Sequence, residues 1–279
     1  MSKVLPGVGA GYTRDEHMRW LKPLWQIGIY ALLGLYFLSI FFFALKPLLG
    51  WPIPRLLGPI STLFVWAFAL GHALWTLGWR HTLAFSGIAF LVGLTFEAIG
   101  VATGWVYGGY HYSPRLGLML FNVPVLIPLS WFMVIYLAHA VTERLIGDRP
   151  RTVGRAVLAC LVGAVVATSW DVVADPQMAR TGLWVWEQPG AFFGVPAHNF
   201  AGWLITSLVV LLAYRAVTWR WPPQAWGEIS PLFALLPIIA YGALALSFIV
   251  GYSAQNEEAL AVITFFTMGS LALAALARA

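Results

Sequence analysis

Charge is scarce in this chain: 10% of its 279 residues are Asp, Glu, Lys or Arg, while 60% are apolar. Soluble domains carry about 25% charged residues, so a soluble globular fold is excluded. Cysteine is all but missing. Cys160 stands alone inside an apolar run, which rules out an intramolecular disulfide and any CxxC metal pair. No HExxH, Walker or GxGxxG pattern occurs, so neither a metal centre nor a nucleotide cofactor is expected. No Lys lies in the middle of an apolar run (Lys46 is terminal), which argues against a retinal Schiff base. The net charge of +5 comes from basic residues scattered between apolar runs, a pattern of membrane-protein loops rather than of nucleic-acid binding.

What is there is grease. Eight apolar segments of spanning length lie near 26–46, 59–78, 82–103, 121–142, 153–175, 199–219, 231–251 and 258–277. Gly and Pro mark the joints, as in KPLLGWPIPRLLGP and WRWPPQAWGE. An open sheet leaves its edges unsatisfied in lipid, and a barrel would show short alternating segments. The expected fold is therefore all-α, a polytopic membrane bundle of about eight transmembrane helices forming a single domain over 1–279. Residues 1–25, mixed and polar with no signal-peptide pattern, read as a cytoplasmic N-terminal segment.

Loop charge orients the bundle. With eight spans, Lys3, Arg14, Arg19, Lys22, Arg80, Arg144, Arg149, Arg151, Arg155, Arg215, Arg220 and Arg278 share one side. Lys46, Arg55, Arg115 and Arg180 share the other. This imbalance predicts a multi-pass protein of the cytoplasmic membrane with both termini in the cytoplasm.

Three acids break the apolar pattern. Glu97 lies roughly 22 Å up the third span, and Asp171 and Asp175 some 27 and 33 Å up the fifth, at 1.5 Å per residue. The i, i+4 spacing of Asp171 and Asp175 puts both on one helical face. Ionisable groups in spans are functional candidates by default. The two longer outer loops bring Tyr107, Tyr110, His111, Tyr112, Trp184, Trp186, Glu187, His198 and Asn199 to the same membrane surface. Plainer readings compete. Trp184 and Trp186 could form an interfacial belt, Asn199 could cap the sixth helix, and Asp175-Pro176 could stop the fifth. Glu97 and Asp171 could pair with Arg115 or Arg180. His72 and His139 read as helix-packing residues and His81 as an interface residue.

The DVVAD spacing is similar to the Asp-rich diphosphate–magnesium motifs of membrane prenyltransferases, but those need a second acidic cluster and basic residues, and Glu97 stands alone on its span. A closer likeness covers roughly residues 60–220. The strings FEAIGVATGWVYGGYHYS, VPVLIPLSWFMVIY and WDVVADPQMARTGLWVWEQPGAFFGVPAHNFAGW resemble the membrane carotenoid 1′,2′-hydratase family. That resemblance implies addition of water to the 1,2 double bond at the acyclic ψ end of a carotenoid such as γ-carotene or lycopene, giving a tertiary alcohol. Archaeal relatives hydrate bisanhydrobacterioruberin. It implies no cofactor, a carotenoid and water as partners, and other enzymes of the pathway as possible neighbours. A non-catalytic carotenoid-binding or transport protein stays open.

The residues offer a mechanism. Hydrating an isolated alkene begins with proton transfer to carbon, and a dry site with a second carboxylate nearby keeps an acid protonated until substrate arrives. Asp171 is the expected donor, Asp175 its tuning partner, and Glu97 a competing donor or the base that orients water. His198, His111 or Asn199 could position that water. Trp170, Tyr107, Tyr110, Trp184 and Trp186 could stabilise the cation through their π faces. Small residues (Gly93, Gly100, Gly104, Gly163, Ala164, Ala167) leave room for a flat polyene or serve ordinary helix packing.

Overall fold

The computed structural model describes residues 14–52, 56–147 and 152–278, with side chains in the first helix from Leu21 onward. Residues 1–13 and the loop residues Arg55, Arg149 and Arg151 used in the charge count lie outside the described residues. The helices are α1 (Arg14–Leu49), α2 (Leu57–Thr76), α3 (Trp79–Thr103), α4 (Leu126–Ile146), α5 (Val153–Arg180), α6 (Ala197–Thr218), α7 (Pro231–Ser253) and α8 (Glu258–Leu276). Each is long and apolar enough to cross a membrane, as the hydropathy of the sequence predicts. α8 relaxes into a π turn over Phe265–Gly269.

Two boundaries move for identifiable reasons. α4 begins at Leu126 rather than near 121 because the preceding residues form a hairpin of β2 (Met119–Leu120) and β3 (Val123–Pro124). Phe121 and Asn122, at φ 52° and 62°, make its two-residue turn of the type that matches strand twist. α5 does not stop at Asp175-Pro176 but continues one more turn to Arg180. Pro176 merely leaves the Val172 carbonyl without its helical N–H, and the hydroxyl of Tyr252 on α7 braces the next carbonyl, Val173, at 2.5 Å.

α3, α4, α5 and α6 pack against one another as a four-helix group, while α1 packs on α2 and α7, and α7 on α4 and α8. One feature departs from an all-helical reading. Two loops separated by the length of α4 and α5 zip into an antiparallel ribbon, β1 (Tyr110–Tyr112) against β4 (Trp184–Trp186). Its register pairs Tyr110 with Trp186, His111 with Val185 and Tyr112 with Trp184. Side chains alternate across a strand. The four aromatics therefore face the helices while His111 and Val185 face out, exposed. The ribbon lies over the end of the bundle that carries the acids. The opposite end carries Arg80, Arg144, Arg155, Arg215, Arg220 and Arg278.

Candidate active site

All three acids turn inward: Glu97, Asp171 and Asp175 are 3%, 2% and 1% exposed. None is bonded to an Arg or Lys among the described residues. Arg180 pairs instead with Glu257 at 2.9 Å, and Arg115 donates to the Thr181 carbonyl at 3.0 Å. The ion-pair reading of the acids is thereby removed.

Asp171 and Asp175 form a unit. Because α5 stays helical through both, their carboxyls sit one turn apart on the same face. Asn199, in the first turn of α6, donates its side-chain amide to Asp171 Oδ2 at 2.6 Å and to Asp175 Oδ2 at 2.8 Å. Both bonds start from one nitrogen, so the two oxygens are no farther apart than those bonds laid end to end. Asn199 is not the cap of α6; that position belongs to Pro196, with no side-chain cap bond. The other oxygen of Asp175 accepts Trp184 Nε1 at 2.5 Å. Trp186 brings its indole N–H beside Asp175, short of a direct hydrogen bond. Both indoles thus turn their N–H groups toward Asp175. Among the described residues Asp171 Oδ1 has no hydrogen-bond partner.

Glu97 is held differently. Its Oε2 accepts the hydroxyls of Tyr110 and, at 2.7 Å, Tyr112. Its Oε1 accepts Trp131 Nε1 at 3.0 Å. Both oxygens are thus engaged by neutral donors, which fix the carboxyl group in place. Burial, and after it the Glu97 charge, pushes the hydroxyls of Tyr110 and Tyr112 well above the ordinary tyrosine range, so both remain donors. Tyr107 stands between the two acidic groups: burial first, then Glu97, then to a lesser degree Asp171, raise its hydroxyl too, while Thr206 at 2.9 Å is its hydrogen-bond partner.

An aromatic wall joins the two groups. Trp131 lies on Trp203 with ring centroids 4.0 Å apart, Trp203 meets Trp170 at 5.3 Å, and Tyr107 stacks beside Trp131 at 6.4 Å. Close helix approach makes this possible. A Cβ at residue 202 would stand 2.3 Å from the Val106 carbonyl oxygen and 2.5 Å from the Tyr107 ring, and one at residue 93 would stand 2.5 Å from Trp131. Gly93 and its neighbour Gly100 therefore seat rings of the site; the packing role is the one they fill.

The two histidines expected to position water do not reach the acids. His111 faces outward by strand alternation, and His198, exposed, lines a groove of about 750 Å³ between Thr103–Gly109, Glu187–Gly190 and the start of α6. Sequence reasoning misses Trp131 and Trp203; the available signals are a Trp in the fourth span and a Trp one turn beyond Asn199. Away from the site, His72 bonds Tyr136 at 2.7 Å and the Phe233 carbonyl at 2.9 Å, a packing role as expected. His81, expected at the interface, is instead buried against Tyr214 at 3.0 Å.

A family model described as "Carotenoid biosynthesis protein" matches residues 57–270, which span α2 into α8 and every residue of the site. Over 135 residues the chain is 36% identical to a bisanhydrobacterioruberin hydratase of Haloarcula japonica, covering 46% of this chain and 44% of that protein. The chain thus spans under half the length of that curated relative in the match. No solved structure matches it. With the match extending over most of its length, the chain belongs to the carotenoid biosynthesis protein family.

Proposed function

We propose that this protein is a cofactor-independent hydratase, acting as one membrane domain, that adds water to the 1,2 double bond at the acyclic ψ end of a carotenoid. The product is a tertiary 1-hydroxy carotenoid. The observation that carries the reading is the Asp171–Asn199–Asp175 unit: two buried carboxyls on one amide, with no Arg or Lys bonded to them among the described residues. Two negative charges about 5 Å apart repel by about 3 kcal/mol at an effective dielectric near 20. One proton shared by the pair relieves that repulsion.

Asp171 then gives that proton from its unbonded Oδ1 to C2 of the terminal alkene. The π electrons form the C2–H bond and leave a tertiary cation at C1, which faces two carboxylates. Water bonds to C1, and its surplus proton passes to the Asp pair, restoring the one-proton state. Nothing else is consumed. Trp170, Trp203 and Trp131 offer π faces to the cation, each contact contributing about 0.5–2 kcal/mol. Glu97, pinned by Tyr110, Tyr112 and Trp131, acts as a fixed negative charge and not as the donor. Membership in a carotenoid biosynthesis family and similarity to a hydratase support the substrate class. Loop charge supports an orientation with both termini in the cytoplasm.

The test is expression in bacteria that accumulate lycopene or γ-carotene, with pigments analysed by mass. Product heavier by one water, its oxygen drawn from labelled water, is expected. Label arriving from molecular oxygen, or activity lost with a magnesium chelator, would replace the hydratase by an oxygenase or a prenyltransferase.

A further inference from the structure

At the end of the bundle opposite the carboxylates, α2 passes into α3 through Leu77 and Gly78 alone. The chain that follows α6 folds back onto this corner: Gln224 N donates to the Leu77 carbonyl at 3.1 Å and Trp226 N to that of Trp75 at 2.9 Å. The junction encloses a pocket of about 220 Å³ whose walls include Trp79, Arg80, Arg220, Trp221 and Gln224.

Its charge is unbalanced. Among the described residues neither Arg80 nor Arg220 has an ion pair; the carboxylates that do pair, Glu143 and Glu257, go to Arg215 and Arg180. The Arg80 guanidinium lies over the face of Trp79, 5.4 Å from its centroid. His81, which also lines the pocket, turns its ring nitrogens to Tyr214 and the Trp221 carbonyl. The first amide N–H groups of α3, which lack helical acceptors, add to the positive field.

We propose that this pocket holds the phosphate of an anionic phospholipid, gripped by Arg80 and Arg220. Guanidinium groups suit a phosphate by geometry as well as charge. Position selects a lipid over a free ion. The pocket lies at the ends of spanning helices, with Trp79, Trp219 and Trp221 exposed by 53%, 50% and 39%, and indoles at span ends sit at headgroup level. One turn into α3, Leu83 is 65% exposed and continues the same face toward the hydrocarbon, where an acyl chain would lie.

The full chain, purified in a mild detergent, is offered phosphatidylglycerol, phosphatidylcholine or inorganic phosphate, and bound lipid is counted by native mass spectrometry. Phosphatidylglycerol is expected to be retained about tenfold better than phosphatidylcholine, whose choline cation would be held against two arginines. Arg80→Gln with Arg220→Gln removes the preference. Arg155→Gln, which deletes an exposed charge on the same membrane side, leaves it intact. Equal retention of both lipids, retention unchanged in the double variant, or equal loss in Arg155→Gln overturns the proposal. Displacement of phosphatidylglycerol by millimolar inorganic phosphate also overturns it, leaving an anion site with no lipid assignment.

Discussion

Asn199→Ala is the substitution whose consequences follow most fully from the geometry. The wild-type amide spends both side-chain N–H bonds on carboxyl oxygens, at 2.6 and 2.8 Å, in a site where all three residues are 3% exposed or less. Hydrogen bonds to charged groups contribute about 1.5–3 kcal/mol each. Without the amide the two acids turn to each other, the proton of one bonding the oxygen of its neighbour, which offsets part of the loss. A net destabilisation of about 2–3 kcal/mol is expected, read as an earlier unfolding midpoint in detergent. The proton of Asp171 would then be bound to Asp175 rather than facing substrate, and a loss of some 3 kcal/mol in the transition state lowers turnover about a hundredfold. Asp175→Asn in the same chain supplies a new amide beside Asp171, so the double variant should recover part of the stability lost in Asn199→Ala. Wild-type midpoint and product yield in Asn199→Ala, or strictly additive losses in the double variant, would refute the shared-amide argument.

Three further outcomes separate the roles assigned to the other residues. Glu97→Gln presents an amide N–H₂ to the donors from Tyr110, Tyr112 and Trp131, leaving at least one unbonded; protein accumulation in the membrane should fall sharply, by about 1–3 kcal/mol per stranded donor. Trp203→Leu removes a π face but no hydrogen bond, so turnover should drop between about 2-fold and 30-fold, the range of a single cation–π contact, at near-normal protein levels. The Tyr110 and Tyr112 hydroxyls, raised by burial and by Glu97, hold protons in the folded state that the unfolded chain releases near pH 10. Stability should accordingly be level up to about that pH and fall above it, with a shallower fall in Tyr112→Phe, as followed by thermal unfolding across the alkaline range.

Much of this architecture is written plainly in the chain, and the remainder is hidden for physical reasons. The eight spans are legible because a membrane demands some twenty apolar residues at a stretch, and little else satisfies that pattern. Glu97, Asp171 and Asp175 are legible because charge in such a stretch is costly. The ribbon is not: YHY and WVW are three residues each, too short for a period to declare itself, and their pairing joins loops divided by two entire helices. That missing period also hides the alternation that turns His111 away from Tyr110 and Tyr112. Asn199 illustrates a second limit. Its place at the start of α6 suggests a cap, and only the packing of α6 on α5 turns its amide to the carboxyls. Trp203 and Trp131 read as ordinary apolar residues until their rings are found face to face.

The central claim is that Asp171 supplies the proton, and one comparison bears on it directly: pigment conversion by Asp171→Asn in lycopene- or γ-carotene-accumulating cells, normalised to membrane-inserted protein. An amide at this position keeps the shape of the site and carries no acid. Protein at near wild-type level with no hydroxylated carotenoid is the predicted result. Hydroxylated product at near wild-type yield would contradict the account and move the donor elsewhere.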